Sequence, residues 1–482
     1  MARGTLLVLA GQASFVLAGY LLHFFMSRSL DAATFGSYGV ILNLLTWAES
    51  ILETGVPWAV RKLLPADPGS APSILRAGLR WQVIVAALLF VAMTIAVPWL
   101  TGALSGANLA FYLRLALVDV MFMALYTYHR AVLNGLKLFA AQGASMAAYA
   151  LSKLVSSVLL VQAGYSLGGA LVGNVLGSLL GWAVTYGLVR RMVPAALHGL
   201  DRDLGTHETR GYGSRDILTF AGPTVWFTLT STFLTSVGLL AVKALVADGA
   251  QVGYYAAAAH LANAPTLLLV AFSWTLFPHL SSSIASQDHA ATRAYIRSAV
   301  RYLAMALVPG TLLVLGTATS LIQLVYPGPY AAGAPLLQLL IISTGLYSLY
   351  MVFANAILAE GRVLLAMGVS GALAPVSLVV SWYLTARFGA PGAAWTAILT
   401  TALAALATTA YVVRRFAVRV DLASLLRVGV ASAGLFVVTR LYVPRGALVI
   451  PYCLVLGACY LLVLCFLGEV RISDVKRVLR RQ

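Results

Sequence analysis

Long apolar runs alternate with short polar breaks along the whole chain. Fourteen runs stand out, near residues 5–26, 36–59, 81–101, 110–133, 139–162, 168–190, 217–241, 252–277, 300–325, 334–358, 363–385, 391–413, 424–442 and 447–467. A helix needs about 20 apolar residues to cross the hydrocarbon layer, and these runs have that length. Barrel strands would be about ten residues long and would alternate polar with apolar positions. These runs do neither. Hydrocarbon offers no water to unpaired backbone groups, so runs of this kind must be helical. The pattern predicts an all-α polytopic membrane protein with about 14 transmembrane helices.

Composition and charge sharpen that picture. Of the 482 residues, 61% are hydrophobic and 10% charged, against about 25% charged in soluble domains. The net charge of +17 does not point to nucleic acid, because the basic residues are scattered among short loops. With the N-terminal side taken as inside, 25 of the 32 Lys and Arg residues fall on inside segments. Five fall outside (Arg28, Lys243, Arg387, Arg440 and Arg445) and two, Arg114 and Lys153, lie within spans. This asymmetry places both termini in the cytoplasm. The first run, Thr5–Met26, reads as a span, being longer than a signal peptide's apolar core. Cys453, Cys459 and Cys465 are six residues apart in the last run, a spacing that drifts around a helix and suits neither a disulfide nor a metal site.

The chain contains an internal repeat. Arg28-Ser29-Leu30-Asp31-Ala32-Ala33-Thr34-Phe35-Gly36-Ser37-Tyr38 is echoed by Lys243-Ala244-Leu245-Val246-Ala247-Asp248, followed by Val252-Gly253-Tyr254-Tyr255. Leu133-Asn134-Gly135-Leu136-Lys137 pairs with Ala359-Glu360-Gly361-Arg362, and Tyr165–Ala170 with Gly389–Ala394. Arg190-Arg191 and Arg414-Arg415 close the two halves. Spans 1–6 thus match spans 7–12. Because six is even, the halves enter the membrane in the same sense, as a parallel repeat. The expected organisation is an N-terminal lobe (1–191), a cytoplasmic linker (192–216), a C-terminal lobe (217–415), two appended helices (416–468) and a basic tail (469–482). Such six-helix lobes usually enclose a central cavity. The tail places Val475, Val478 and Leu479 on one face among basic residues. It reads either as a helix on the anionic inner leaflet or as a frayed end.

The order of motifs resembles the Wzx-type polysaccharide flippases of the multidrug/oligosaccharidyl-lipid/polysaccharide exporter (MOP) superfamily. The matching stretches are Arg28–Tyr38, Phe220-Ala221-Gly222-Pro223, Val252–Ala258, Phe277-Pro278-His279-Leu280-Ser281, Tyr326-Pro327-Gly328-Pro329-Tyr330, Leu358–Arg362 and Phe388–Ala394. They cover residues 5 to about 415. Asp31 stands where the family usually has Gly. Leu234-Thr235-Ser236-Val237-Gly238 lacks the acid often found in the middle of span 7, so no role of that acid carries over. The resemblance implies two lobes around a cationic cavity and flipping of a polyprenyl-(pyro)phosphate-linked oligosaccharide from the inner to the outer face of the plasma membrane. It also implies that the two extra helices guide the lipid tail.

Such cargo needs cations facing a wet cavity, since phosphate cannot enter hydrocarbon bare. Arg28 and Lys243 occupy equivalent places in the repeat and are candidates for phosphate contact; snorkelling to the outer interface explains them equally. Arg114 and Lys153 lie deeper. Asp119 is five residues from Arg114, about 140° round the helix, so Lys153 on the adjacent span is its better partner. Glu49 and Glu53, four apart on one face of span 2, are candidates to bind a coupling H⁺ or Na⁺, or to pair with the cations, and Asp119 belongs with them. His23 and His260 read as packing residues. Trp58, Trp81, Trp99 and Trp274 read as interfacial anchors. Tyr38 and Tyr255 are either anchors or platforms for sugars.

Competing readings stay open. A cation-coupled multidrug antiporter would share the lobes, but twelve spans suffice there and a basic cavity suits cationic drugs poorly. A lipid II-type flippase is a nearer rival. A glycan polymerase or transferase would need a larger outer loop or a soluble domain. A membrane scaffold would leave the duplication and the intramembrane charges without a role. No phosphate-binding loop and no Cys/His cluster point to a nucleotide, cofactor or metal. The partners expected are the lipid-linked oligosaccharide, membrane lipids and a coupling ion, with the protein acting as a monomer and without catalysing a reaction.

Overall fold

The computed structural model describes residues 2–104, 108–204, 212–264, 286–418 and 421–469, with residues 266, 280 and 282–284 besides. Among them all regular structure is helical. Ten stretches are long and apolar enough to cross a membrane, and one of these, Phe139–Leu197, holds two helices. The protein is a multi-pass membrane protein. Most of the Phe277–Ser281 motif, Trp274, the end of span 8 and the basic tail beyond Glu469 lie outside the described residues. The chain divides into two compact units, Met1–Phe233 and Leu234–Gln482.

The first unit holds α1 (Ala2–Ser29), α2 (Ala32–Thr54), α3 (Val56–Ala66), α4 (Ala71–Ala103), α5 (Leu109–Leu117), α6 (Asp119–Gly135), α7 (Phe139–Leu160) and α8 (Ser166–Leu204). It also holds the start of α9 (Ser214–Leu245). Two expected spans are broken helices. Span 2 is α2 and α3, interrupted at Gly55 before Pro57. Span 4 is α5 and α6, interrupted at Val118. The buried Gln82 amide donates to the carbonyls of Leu52 (3.1 Å) and Ala124 (3.0 Å). It thereby supplies a donor beside the α2–α3 break, where hydrocarbon supplies none.

Small residues let these helices meet at backbone distance. A Cβ at Gly177 would lie 2.5 Å from the Cα of Lys153, and one at Gly181 2.9 Å from the Cα of Tyr149. Position rises along α8 as it falls along α7, so the two helices are antiparallel.

The second unit continues with α10 (Gly249–Ala262), α11 (His289–Val325), α12 (Ala334–Ala359), α13 (Val363–Phe388), α14 (Ala390–Phe416), α15 (Leu422–Leu441) and α16 (Val449–Phe466). The appended pair, α15 and α16, packs on α11. Val428, Leu435, Leu456, Tyr460 and Leu464 form a buried cluster, and the Tyr460 hydroxyl donates to the Met305 carbonyl at 3.0 Å.

The repeat is visible residue by residue. Asp31 caps α2 by accepting from the amides of Ala33 and Thr34, and Asp248 caps α10 by accepting from Ala250. Asp31 thus supplies a side-chain acceptor that a Gly there would lack. The turn after α6 corrects the motif alignment. Lys137 (φ +58°) corresponds to Gly361 (φ +81°), and Leu138 to Arg362, with amide bonds Leu138→Leu133 and Arg362→Ile357 at the same offset. The Gly-then-cation match read from sequence is out of register, because what recurs is a left-handed residue. Likewise Ser166 (φ 45°, ψ −131°) matches Gly389 (φ 66°, ψ −146°). That is a one-residue shift from the sequence pairing, next to a π turn at Val161–Tyr165.

Candidate functional site

Glu53, Arg130, Lys153 and Asp119 of the first unit gather into one connected array carried by α2, α6, α7 and α8. Each helix contributes a pair with four-residue spacing: Glu49 and Glu53, Tyr126 and Arg130, Tyr149 and Lys153, Asn174 and Ser178. That spacing puts each pair on a single helix face.

The array runs from Glu53, which forms an ion pair with Arg130. The Arg130 guanidinium carbon lies 5.5 Å from the centre of the Tyr126 ring. Tyr126 stacks on Tyr149 with centroids 4.2 Å apart and planes 10° from parallel. The Lys153 ammonium lies 4.8 Å from the centre of the Tyr149 ring and 3.9 Å from Asp119 Oδ2. The same oxygen accepts from Asn174 Nδ2 at 3.0 Å. Two cations thus bracket a stacked tyrosine pair, and a carboxylate holds each cation. Each cation over a ring gains attraction that grows when water is excluded.

Burial makes this array consequential. Asp119 is 1% exposed, while the side chains of Arg130 and Lys153 are 12% and 16% exposed and that of Glu53 43%. An ion at membrane depth costs about 2.5–3.5 kcal/mol on insertion scales unless it is paired or wetted. Asp119 also opens α6, where the helix dipole favours an anion. Around these pairs, Tyr38 Oη and Arg130 Nε are buried without a hydrogen-bond partner among the described residues. Polar groups in that condition demand partners, so the array has capacity for water or for polar groups of a ligand. Glu49 feels the charge of Lys153, and Arg61 that of Glu53.

Of the residues singled out from sequence, Lys153, Asp119, Glu49 and Glu53 come together here. Arg114 does not: it is exposed on the short helix α5, with no ion pair among the described residues. Arg28 is exposed, its guanidinium 3.5 Å above the centre of the Phe24 ring and bonded to the Phe24 carbonyl. Lys243 sits half-buried in the last turn of α9. Tyr38 and Tyr255 are buried at 0% and 2% exposure, which removes them as platforms for sugars. His23 packs against Phe35 and Tyr38, and Trp58 and Trp99 are exposed.

Sequence reasoning missed Arg130, Tyr126, Tyr149, Asn174 and Ser178. Arg130 counts among the 25 inside cations although it lies inside the 110–133 run. Its position four residues after Tyr126 and eleven after Asp119 was the available signal. Among the described residues no group of three or more His, Cys, Asp or Glu could hold a metal ion.

A family model described as "Polysaccharide biosynthesis protein" matches residues 1–284. No curated protein sequence matches the chain. Solved structures share its fold at low identity. The lipid II flippase MurJ in an inward closed conformation superposes with a TM-score of 0.73 at 13% identity, covering 98% of this chain and 99% of that one. A multidrug resistance MATE family transporter of the MOP superfamily, inward-facing, gives 0.69 at 12% identity over 84% and 94%. A MOP superfamily transporter from Pyrococcus furiosus, described by the reverse polarity of its binding pocket, gives 0.62 at 12% identity over 86% and 95%.

Proposed function

The chain belongs to the family of polysaccharide biosynthesis proteins, and from that premise we propose that it is a flippase moving a polyprenyl-(pyro)phosphate-linked oligosaccharide across the plasma membrane. The observation that carries this reading is the array from Glu53 to Asp119. It keeps two cations ready inside a membrane domain, each on a carboxylate that can be exchanged for a phosphate. Arg130 offers a planar fork suited to phosphate oxygens, and Lys153 a point charge.

The proposed cycle is alternating access. The phosphate leaves water for Lys153 and Arg130, Asp119 and Glu53 release them, and the paired state re-forms when the cargo departs. Asp119, Glu49 and Glu53 are the groups proposed to take up a coupling H⁺ or Na⁺ while the cations are engaged. Arg28 and Lys243 are proposed to meet the phosphate nearer the outer face. Arg114, exposed and outside the array, is left with the bilayer interface as its setting. The lipid tail is proposed to stay in the bilayer, along an apolar groove of about 490 Å³ lined by Leu303, Leu307, Leu346 and Leu349 of α11 and α12 and by Leu425 of α15.

The test is a proteoliposome flipping assay with a lipid-pyrophosphate oligosaccharide. Wild type is expected to flip it, and Arg28→Ala/Lys243→Ala to flip it more slowly while remaining folded. Unchanged flipping by the double variant would return both residues to the role of interfacial anchors. Export of a cationic dye by a wild type that flips no such lipid would replace the flippase with the antiporter.

A further inference from the structure

The internal repeat duplicates an arginine pair that the proposed transport cycle does not use. Asp67 accepts from the Ser70 amide ahead of α4, and Asp288 accepts from the Ala291 amide ahead of α11. Nine residues after each Asp comes an arginine, and four residues later another: Arg76 and Arg80 in the first unit, Arg297 and Arg301 in the second. Both pairs lie on the side that the charge bias assigns to the cytoplasm. Each pair lines a pocket, but the two pockets have different contents.

In the second unit the pocket is small, about 90 Å³, and the chain supplies its own anion. Glu469, which follows α16 and is 2% exposed, sends Oε1 to Arg301 Nε at 2.7 Å and Oε2 to Arg427 Nη1 at 3.2 Å. Ser424 donates to the same carboxylate, and Arg301 also reaches the Glu469 carbonyl. In the first unit the equivalent pocket is about 340 Å³ and is lined by Ser73, Arg76, Arg80, Trp81, Tyr212 and Ser214. Among the described residues neither Arg76 nor Arg80 meets a carboxylate. Arg76 Nε is bonded to the Pro72 carbonyl.

We propose that the Arg76/Arg80 pocket binds the phosphate of an anionic membrane lipid, in the place that Glu469 fills internally in the other half of the repeat. Basic pockets between transmembrane helices on the cytoplasmic side are suited to such headgroups. The geometry favours a lipid over a soluble anion. Trp81 and Tyr212 give the pocket the amphipathic rings of a membrane interface. On the same face of α4 the stripe Leu79, Val83, Val91 and Ile95 is exposed at 37–58%, which offers an apolar track for the acyl chain. The bound lipid would fix α4 against the start of α9, already joined where the Tyr212 amide meets Ser73 Oγ.

The experiment is native mass spectrometry of the full chain, titrated separately with phosphatidylglycerol, phosphatidylcholine, polyprenyl pyrophosphate and inorganic phosphate. Wild type is expected to retain one phosphatidylglycerol and not phosphatidylcholine, and Arg76→Gln/Arg80→Gln to bind it at least tenfold more weakly. Arg297→Gln, whose pocket is already plugged, should change nothing, whereas Glu469→Gln should admit a second lipid. Preference for polyprenyl pyrophosphate with the same arginine dependence would support a lipid phosphate at this site and identify its source as the carrier. Undiminished lipid retention by folded Arg76→Gln/Arg80→Gln would overturn the proposal, as would displacement of the lipid by inorganic phosphate at equal concentration. None of these outcomes depends on whether the protein flips an oligosaccharide.

Discussion

Replacing Lys153 by Met keeps the side-chain volume and removes one charge, which leaves Asp119 buried at 1% exposure with Asn174 as its hydrogen-bonding neighbour at 3.0 Å. Breaking a buried pair by deleting one partner costs about 3–5 kcal/mol, because the remaining charge keeps its desolvation penalty. Removing both charges is different: a neutral, well-packed replacement is often no less stable. Lys153→Met should therefore destabilise the protein by that amount in thermal or denaturant unfolding in detergent, and Asp119→Asn/Lys153→Met should recover most of the loss. The transport assay should not follow stability. The double variant lacks the ammonium proposed to receive the phosphate, so it should be folded yet slow to flip. A single variant as stable as wild type would refute the energetic account of the pair. A stable double variant flipping at the wild-type rate would refute the role given to Lys153.

Three further outcomes test helix packing, a left-handed turn and the Glu469 ion pairs. Gly177→Ala would place a Cβ 2.5 Å from the Cα of Lys153; by forcing α7 and α8 apart it should cost about 1–3 kcal/mol in unfolding measurements and slow flipping. Lys137→Gly, at a position with φ +58°, should leave transport unchanged and stabilise by about 1 kcal/mol, since a side chain there is strained. Burial opposes ionisation of Glu469, but hydrogen bonds from Ser424 and Arg427 and the charge of Arg301 outweigh it and hold its carboxyl below the ordinary value. A lowered folded value means that the stabilisation is fully present above the unfolded carboxylate range near pH ~4.3 and is lost as the pH falls through the folded value. The stability difference between wild type and Glu469→Gln should accordingly be constant at neutral pH and vanish in acid.

The run lengths made the helical membrane architecture legible, because hydrocarbon enforces both length and backbone pairing. The Asp31 and Asp248 copies were legible as a repeat, and the structure gives them a shared capping task. What escaped was geometry that depends on which helices meet. Arg130 reads as a loop cation until α2 brings Glu53 to it, and Arg114 reads as a companion of Lys153 until the fold leaves its side chain exposed on α5 without an ion pair among the described residues. Tyr38 and Tyr255 look like interface aromatics in a polar loop, yet the caps start the helices early enough to bury both. Glu469 looks like the first residue of a solvated tail, and its partners Arg301 and Arg427 lie on two other helices. At Lys137 the match of Gly with Gly misplaces the repeat register, because the fold repeats a left-handed turn that Lys can occupy at a cost.

The central claim is that the cations of the membrane domain serve a lipid-borne phosphate. It is tested most directly by measuring what purified wild type moves in proteoliposomes, with a lipid-pyrophosphate oligosaccharide and a cationic dye offered in parallel. The account predicts that the oligosaccharide lipid crosses and that the dye does not compete. Dye export with no flipping across several such lipids would contradict it.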